Sequence, residues 1–158
     1  MVQAHLQPKQ LLLQLPTKLA LQVTPEQFAV LAAANRDLRL ERTATGELIV
    51  NPPTGGETGK RNAKISTQLG VCGDANELLG EYFDSSTGFY LPNGANRSPD
   101  ASWVRRERWD AITLEQREGF VPLCPDFVME LRSKTDSLTV LQTKMLEYMD
   151  NGAQLGWL

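Results

Sequence analysis

Two acidic residues sit where strands would carry them, and no other feature restricts the chain as much. Asp100 ends the turn Ser98-Pro99-Asp100 and opens the run Ala101-Ser102-Trp103-Val104, while Glu130 lies inside the run Phe127-Val128-Met129-Glu130-Leu131. A strand covered on both faces does not hold a bare carboxylate cheaply. Such acids must therefore lie exposed at an edge, be paired, or bind a cation. Two adjacent strands would bring them together, and the expectation is an α/β domain with both acids on its central sheet.

The rest of the chain narrows the chemistry by what it lacks. The single histidine is His5, in a stretch with no periodic pattern, which removes Ser-His-Asp and Cys-His hydrolases, HExxH peptidases and histidine-ligated nucleases. Carboxylate, lysine, serine and tyrosine chemistry remains. A length of 158 residues suits one domain, expected over 21–158 behind a loosely ordered segment 1–20. The formal charge of −3 supplies no broad field toward nucleic acid or membrane, so any DNA contact must come from a local patch. Cys72 and Cys124 lack CxxC spacing and read as packed, reduced thiols of a cytoplasmic protein. Leu11-Leu12-Leu13-Gln14-Leu15 is too short to span a bilayer, and no basic region precedes it as in a signal peptide.

Taken in order, Thr24-Pro25-Glu26-Gln27 is a helix start with a capping box, and Phe28, Leu31 and Ala32 share a face behind it. Leu38–Glu41 and Glu47–Val50 flank Ala44-Thr45-Gly46 as a hairpin, which puts Glu41 on a strand, by composition alone as a solvent-facing edge charge. Residues 51–59 read as loop without P-loop spacing, followed by an amphipathic helix from about Lys60 to Leu79. Lys60, Arg61 and Lys64 crowd its start, as a solvated face or a phosphate-contacting patch. Glu81 to Tyr90 reads as a strand that Leu91-Pro92-Asn93-Gly94 turns back, placing Asp100 at the mouth of the hairpin's second strand. Arg105, Arg106 and Arg108 form a second basic cluster, and Thr113–Gln116 is a second capping box. Ser137 or Asp136 caps a last helix lined by Leu138, Leu141, Met145, Tyr148 and Met149 and stopped by Asn151-Gly152. Lys144 falls at the margin of that stripe, where its stem can cross apolar surface to a strand end.

Leu40-Glu41-Arg42 with Gly46-Glu47-Leu48, then Pro53-Thr54-Gly55-Gly56, Ser86-Thr87-Gly88-Phe89 and the acidic stretch from Ser98 to Gly152 together resemble the Uma2 family, a branch of the PD-(D/E)XK nuclease superfamily. The resemblance runs from about Leu21 to Leu158. It implies a restriction-endonuclease-like fold, a mixed central sheet flanked by helices, and a Mg²⁺-dependent DNA endonuclease, with Mn²⁺ as a substitute. In its terms Asp100, Glu130 and the Leu131 backbone carbonyl hold the metal, and Lys144 replaces the usual lysine two positions after the acid, where this chain has Arg132. Arginine stays protonated and cannot accept a proton. Glu41 is a candidate fourth member of the acidic ring, and Asp126 reads as a turn or edge acid. The chain stops at Gln154–Leu158, at the apparent start of a strand, short of the usual family length; an open edge there would call for cover, by a second copy in a homodimer or by the N-terminal segment. The alternative reading is a catalytically silent relative that binds nucleic acid or a partner.

Overall fold

The computed structural model describes residues 20–134 and 136–158, so the segment expected to be loosely ordered, His5 included, falls outside the described residues except for Ala20. In chain order the elements are α1 (Pro25–Ala34), β1 (Arg39–Arg42), β2 (Leu48–Asn51), α2 (Gly56–Asp74), β3 (Gly80–Asp84), β4 (Phe89–Tyr90), β5 (Asn96–Arg97), β6 (Ala101–Arg105), α3 (Arg106–Asp110), α4 (Leu114–Arg117), β7 (Phe127–Met129), α5 (Leu138–Asp150) and β8 (Leu155–Trp157). Among the described residues no helix is long and apolar enough to cross a membrane.

The local signals form as the sequence predicts. Thr24 and Gln27 close their capping box, as do Thr113 and Gln116. The β1–β2 hairpin pairs Leu40 with Val50 and Glu41 with Ile49, and Gly46 takes the turn at φ +96°, where a side chain would be strained. Gly152, at φ +108°, ends α5 behind Asn151.

Four strands, in the order β2-β1-β5-β4, make an antiparallel sheet, and four more, β3-β6-β7-β8, make a mixed one. In the second sheet β3, β6 and β7 run antiparallel, and β8 returns parallel to β7 after the α5 crossover. A parallel neighbour requires such a crossover, and α5 thereby lies against the sheet. Met145 and Tyr148 of α5, Val104 of β6 and Val128 of β7 share one core with Phe89, Leu91 and Cys124. Leu138 and Met149, expected on the buried stripe, are exposed, because the stripe narrows to Leu141, Lys144, Met145 and Tyr148.

Four expectations need correction. Residues 81–90 are two strands in different sheets, and β6 pairs with β3 rather than with the strand before the turn. The helix α2 starts at Gly56 and ends at Asp74, several residues earlier than expected at each end. Its glycines serve packing: Gly70 and Gly73 rest against the Tyr82 ring of β3, where a Cβ on Gly73 would collide. Cys72 is exposed on this helix, and only Cys124 is the packed thiol the sequence suggested. Finally, Ser137 stands at the α5 N-cap without a side-chain bond, since Asp136 braces the turn instead by accepting from the Ser133 amide.

Candidate active site

The register of β6 and β7 brings the two acids near each other. Ala101 pairs with Met129, Ser102 with Val128 and Trp103 with Phe127, so Asp100 and Glu130 stand just past the paired ends of two adjacent strands, near enough for the Asp100 charge to act on Glu130. The Asp100 amide donates to the Met129 carbonyl at 3.0 Å, one residue out of step with the paired register, and the Leu131 amide donates to Asp100 Oδ2 at 2.7 Å, which ties the carboxylate to the chain leaving β7. Alternation puts Glu130 on the face of Val128, toward α5.

From α5 come two side chains one turn apart. Lys144 Nζ lies 2.7 Å from Glu130 Oε1 and 2.9 Å from Glu41 Oε1, and the Tyr148 hydroxyl donates to Glu130 Oε1 at 3.0 Å. Glu130 and Glu41 are both almost fully buried, at 3% and 2% exposure, so neither carboxylate has water to replace these partners. The surface-charge reading of Glu41 is thus overturned. Its strand is interior, between β2 and β5, and Arg97 on β5 meets it: Arg97 Nη1 stands 3.2 Å from Glu41 Oε2, with Nε 2.6 Å from Glu147 Oε2. Asn51 of β2 adds a 3.4 Å hydrogen bond to Glu41 Oε1. Arg39, two residues before Glu41, places Nη1 2.9 Å from Asp100 Oδ1 and donates through its other terminal nitrogen to the Ser98 carbonyl.

Four carboxylates, Glu41, Asp100, Glu130 and Glu147, therefore face three cations, Arg39, Arg97 and Lys144. The imbalance falls on Glu130. Burial pushes its carboxyl upward, Glu41 and Asp100 push the same way, and Lys144 offsets only part of this. For Glu41 burial also acts upward, but Lys144, Arg97 and Arg39 outweigh it and hold the group below the ordinary carboxylate range. Burial works against a charged Lys144, yet Glu130 and Glu41 prevail and its ammonium is stabilised. Tyr148, fully buried beside these acids, is held well above an ordinary phenol.

This donor set fits a hard divalent cation. Two neighbouring carboxylates supply oxygen ligands alone, the cluster is short of positive charge, and Glu130 Oε2 accepts nothing from the described residues. Among the described residues no group of three Asp, Glu, His or Cys side chains is placed to hold a metal ion, so an ion here would rest on the two carboxylates, a backbone carbonyl, water and substrate.

The remaining candidates lie elsewhere. Lys60, Arg61 and Lys64 are on the exposed side of α2, with Lys60 paired to Glu57 at 3.0 Å. Arg105 begins the far end of β6, about 17 Å from Asp100 at the antiparallel rise. There Arg105 and Arg108 both pair with Asp126, and Arg106 pairs with Glu81. Asp126 is accordingly no edge acid: it is 5% exposed and also accepts from the Arg105 amide. Arg132 is exposed and donates to the Asp136 carbonyl, away from the acids. Sequence reasoning missed Arg39, Arg97 and the role of Tyr148. Two of these had a signal, since Arg39 is two residues from Glu41 on a strand and Tyr148 four from Lys144 on a helix.

The model of the Uma2 family, described as "Putative restriction endonuclease", matches residues 25–158. A crystal structure described as "a putative nuclease belonging to DUF820 from Anabaena variabilis ATCC 29413" is similar with a TM-score of 0.61 and 19% identity, over 75% of this chain. The chain covers 64% of the length of that protein, and at this identity the likeness concerns the fold. No curated protein matches the chain.

Proposed function

The chain belongs to the Uma2 family, and from that premise we propose that it is a Mg²⁺-dependent DNA endonuclease, with Asp100, Glu130 and the Leu131 carbonyl as the metal-holding set and Lys144 as the cation beside the attacked phosphate. The observation that carries the reading is the Lys144 ammonium on the buried Glu130 carboxylate, with Asp100 near enough on the neighbouring strand for its charge to act on Glu130, in a cluster short of positive charge. Bound Mg²⁺, or Mn²⁺ in its place, would supply an acidified water and positive charge next to the phosphate. Asp100 and Glu130 fix that point through the ladder bonds that hold their backbones. Lys144 is a donor rather than a proton acceptor, because its acidic neighbours keep it protonated. From the helix it can orient the attacking water and offset charge growing on the phosphate oxygens. Glu41 anchors Lys144 and is itself anchored by Arg97, and Tyr148 holds Glu130 in its rotamer.

The test is Asp100→Asn, which removes a charge and almost no volume. Purified variant should keep the fold by circular dichroism and lose Mg²⁺-dependent cleavage of plasmid DNA that the unsubstituted chain performs and EDTA stops. Undiminished cleavage by the variant would remove Asp100 from the site and the metal assignment with it.

A further inference from the structure

We propose that Arg39 is a phosphodiester-binding residue that Asp100 holds in reserve: its guanidinium sits on the carboxylate in the metal-free protein and turns to a DNA phosphate when a divalent cation takes that place. The inference rests on the metal-site reading above and adds to it a residue that touches substrate.

Asp100 has one oxygen to spare. Oδ2 is occupied by the Leu131 amide at 2.7 Å, a bond that also fixes the carboxylate to β7. Oδ1 is the oxygen left for a metal, and it is the one Arg39 Nη1 holds at 2.9 Å. Two cations on one carboxylate oxygen repel, so metal and guanidinium compete for it. The displaced guanidinium would not swing free. Its other terminal nitrogen donates to the Ser98 carbonyl, a backbone atom that metal binding does not consume. What metal binding releases is Nη1, and beside it Nε is buried without an acceptor among the described residues. Nε shares its edge of the planar group with the terminal nitrogen that Ser98 holds, so the released Nη1 is the donor that turns to a phosphate oxygen, from a guanidinium that Ser98 keeps oriented and whose Nε is still unsatisfied.

The two other cations of the cluster cannot do this. Arg97 is 9% exposed and held at both ends, by Glu41 and by Glu147. Lys144, if displaced from Glu130, still has Glu41. Arg39 is 31% exposed, has one acidic partner, and loses it. An orphaned donor at a site edge next to a charge about to be freed is the arrangement a phosphate contact needs.

The experiment measures metal and DNA separately, with Ca²⁺ as an oxygen-seeking cation in place of Mg²⁺. Ca²⁺ binding without DNA is followed by isothermal titration calorimetry, and a fluorescein-labelled DNA duplex is followed by anisotropy in Ca²⁺ and in EDTA. Arg39→Gln should bind Ca²⁺ severalfold more tightly, because the competitor is gone. The same variant should bind duplex in Ca²⁺ roughly tenfold more weakly, the scale of one charge-assisted contact, with the salt dependence reduced by about one phosphate. Arg39→Lys keeps the charge and loses the planar group that Ser98 orients, so its Ca²⁺ affinity should stay near that of the unsubstituted chain while duplex affinity still falls; this variant decides if Arg39→Gln does not fold. Ca²⁺ affinity unchanged or weakened in Arg39→Gln, or duplex affinity unchanged in Arg39→Lys, overturns the proposal while leaving the metal site standing. No Ca²⁺ or Mg²⁺ binding by the unsubstituted chain would remove both.

Discussion

Replacing Glu130 by Gln should make the metal-free protein more stable while abolishing cleavage. The carboxylate is 3% exposed, and burial together with Glu41 and Asp100 raises its pKa above the ordinary value of 4.5. A raised carboxyl pKa means that the folded state binds the proton more tightly than the unfolded state. The fold therefore loses stability as pH climbs from the unfolded pKa through the folded one, and the whole cost stands above that window. Gln keeps the volume and an oxygen for Lys144 and Tyr148. Lys144 still has Glu41, and the cluster becomes balanced at three charges of each sign. The expected gain is about 0.5–2 kcal/mol, the usual range for relieving one unfavourable feature. At roughly 2–4 °C per kcal/mol for a domain of this size, Tm in EDTA at pH 8 should rise by about 1–8 °C. Adding Mg²⁺ should reverse the order. At tenfold excess over Kd it stabilises the unsubstituted protein by about 1.4 kcal/mol and at hundredfold by about 2.7 kcal/mol, and the variant gains far less. Differential scanning fluorimetry in EDTA and across a Mg²⁺ series reads both effects. A lower Tm for Glu130→Gln in EDTA, or equal Mg²⁺ shifts in the two proteins, would refute the charge accounting.

Tyr148→Phe removes the hydroxyl that fixes Glu130, and should cost about 1.5–3 kcal/mol in urea unfolding and weaken Mg²⁺ binding by about 10–100-fold in calorimetry. Arg97→Met leaves Glu147 without its cation and Glu41 with Lys144 alone beside a 9%-exposed site, and should lower stability by about 3–5 kcal/mol at neutral pH. Because Glu41 is held below its ordinary pKa, its contribution is present above about pH 4.5 and is lost as pH falls through the depressed folded value, so the Arg97→Met deficit should shrink in acid; a constant deficit from pH 8 to pH 3 would contradict this. Cys72 is exposed, whereas Cys124 is buried with its thiol pushed up to about 11, so a thiol reagent at pH 8 should label one cysteine quickly and the second only after denaturation.

What was legible in the sequence is what is settled within a few residues. The capping boxes at Thr24 and Thr113, the Gly46 turn and the Asn151-Gly152 stop involve atoms within one turn of chain, so their residue types suffice. The glycines of α2 misled for the opposite reason. Gly55, Gly56 and Gly59 are poor helix formers taken alone, at about 1 kcal/mol each in a helix interior, and read as loop. The helix nonetheless extends to Gly56, and what recommends glycine further along it, at Gly70 and Gly73, is Tyr82, nine residues or more away. The strands β4 and β5, two residues each, are shorter than any alternation can register, and with them the division into two sheets was hidden.

The site divides along the same line. Asp100 and Glu130 could be placed because each position is awkward for a carboxylate unless something charged is nearby, whereas Lys144 is singled out only by the resemblance and by its place at the margin of the α5 stripe. Glu41 could not be placed, because a strand's alternation tells that a side chain faces one side without telling what stands there. Here the answer depends on Arg97, 56 residues away, which arrives only when β5 pairs with β1. That dependence makes the fold and the site inseparable: the sheet β2-β1-β5-β4 carries Arg39, Glu41, Asn51 and Arg97 to the acids. The ends of the mixed sheet together with Lys144 of α5 would hold three charges, Asp100, Glu130 and Lys144, with a net negative sum. The antiparallel sheet brings two arginines and one glutamate, which moves that sum toward neutrality, and Glu147 on α5 sets the final deficit of one positive charge. A cluster built from both sheets and left one charge short is the setting that the proposed divalent cation would complete.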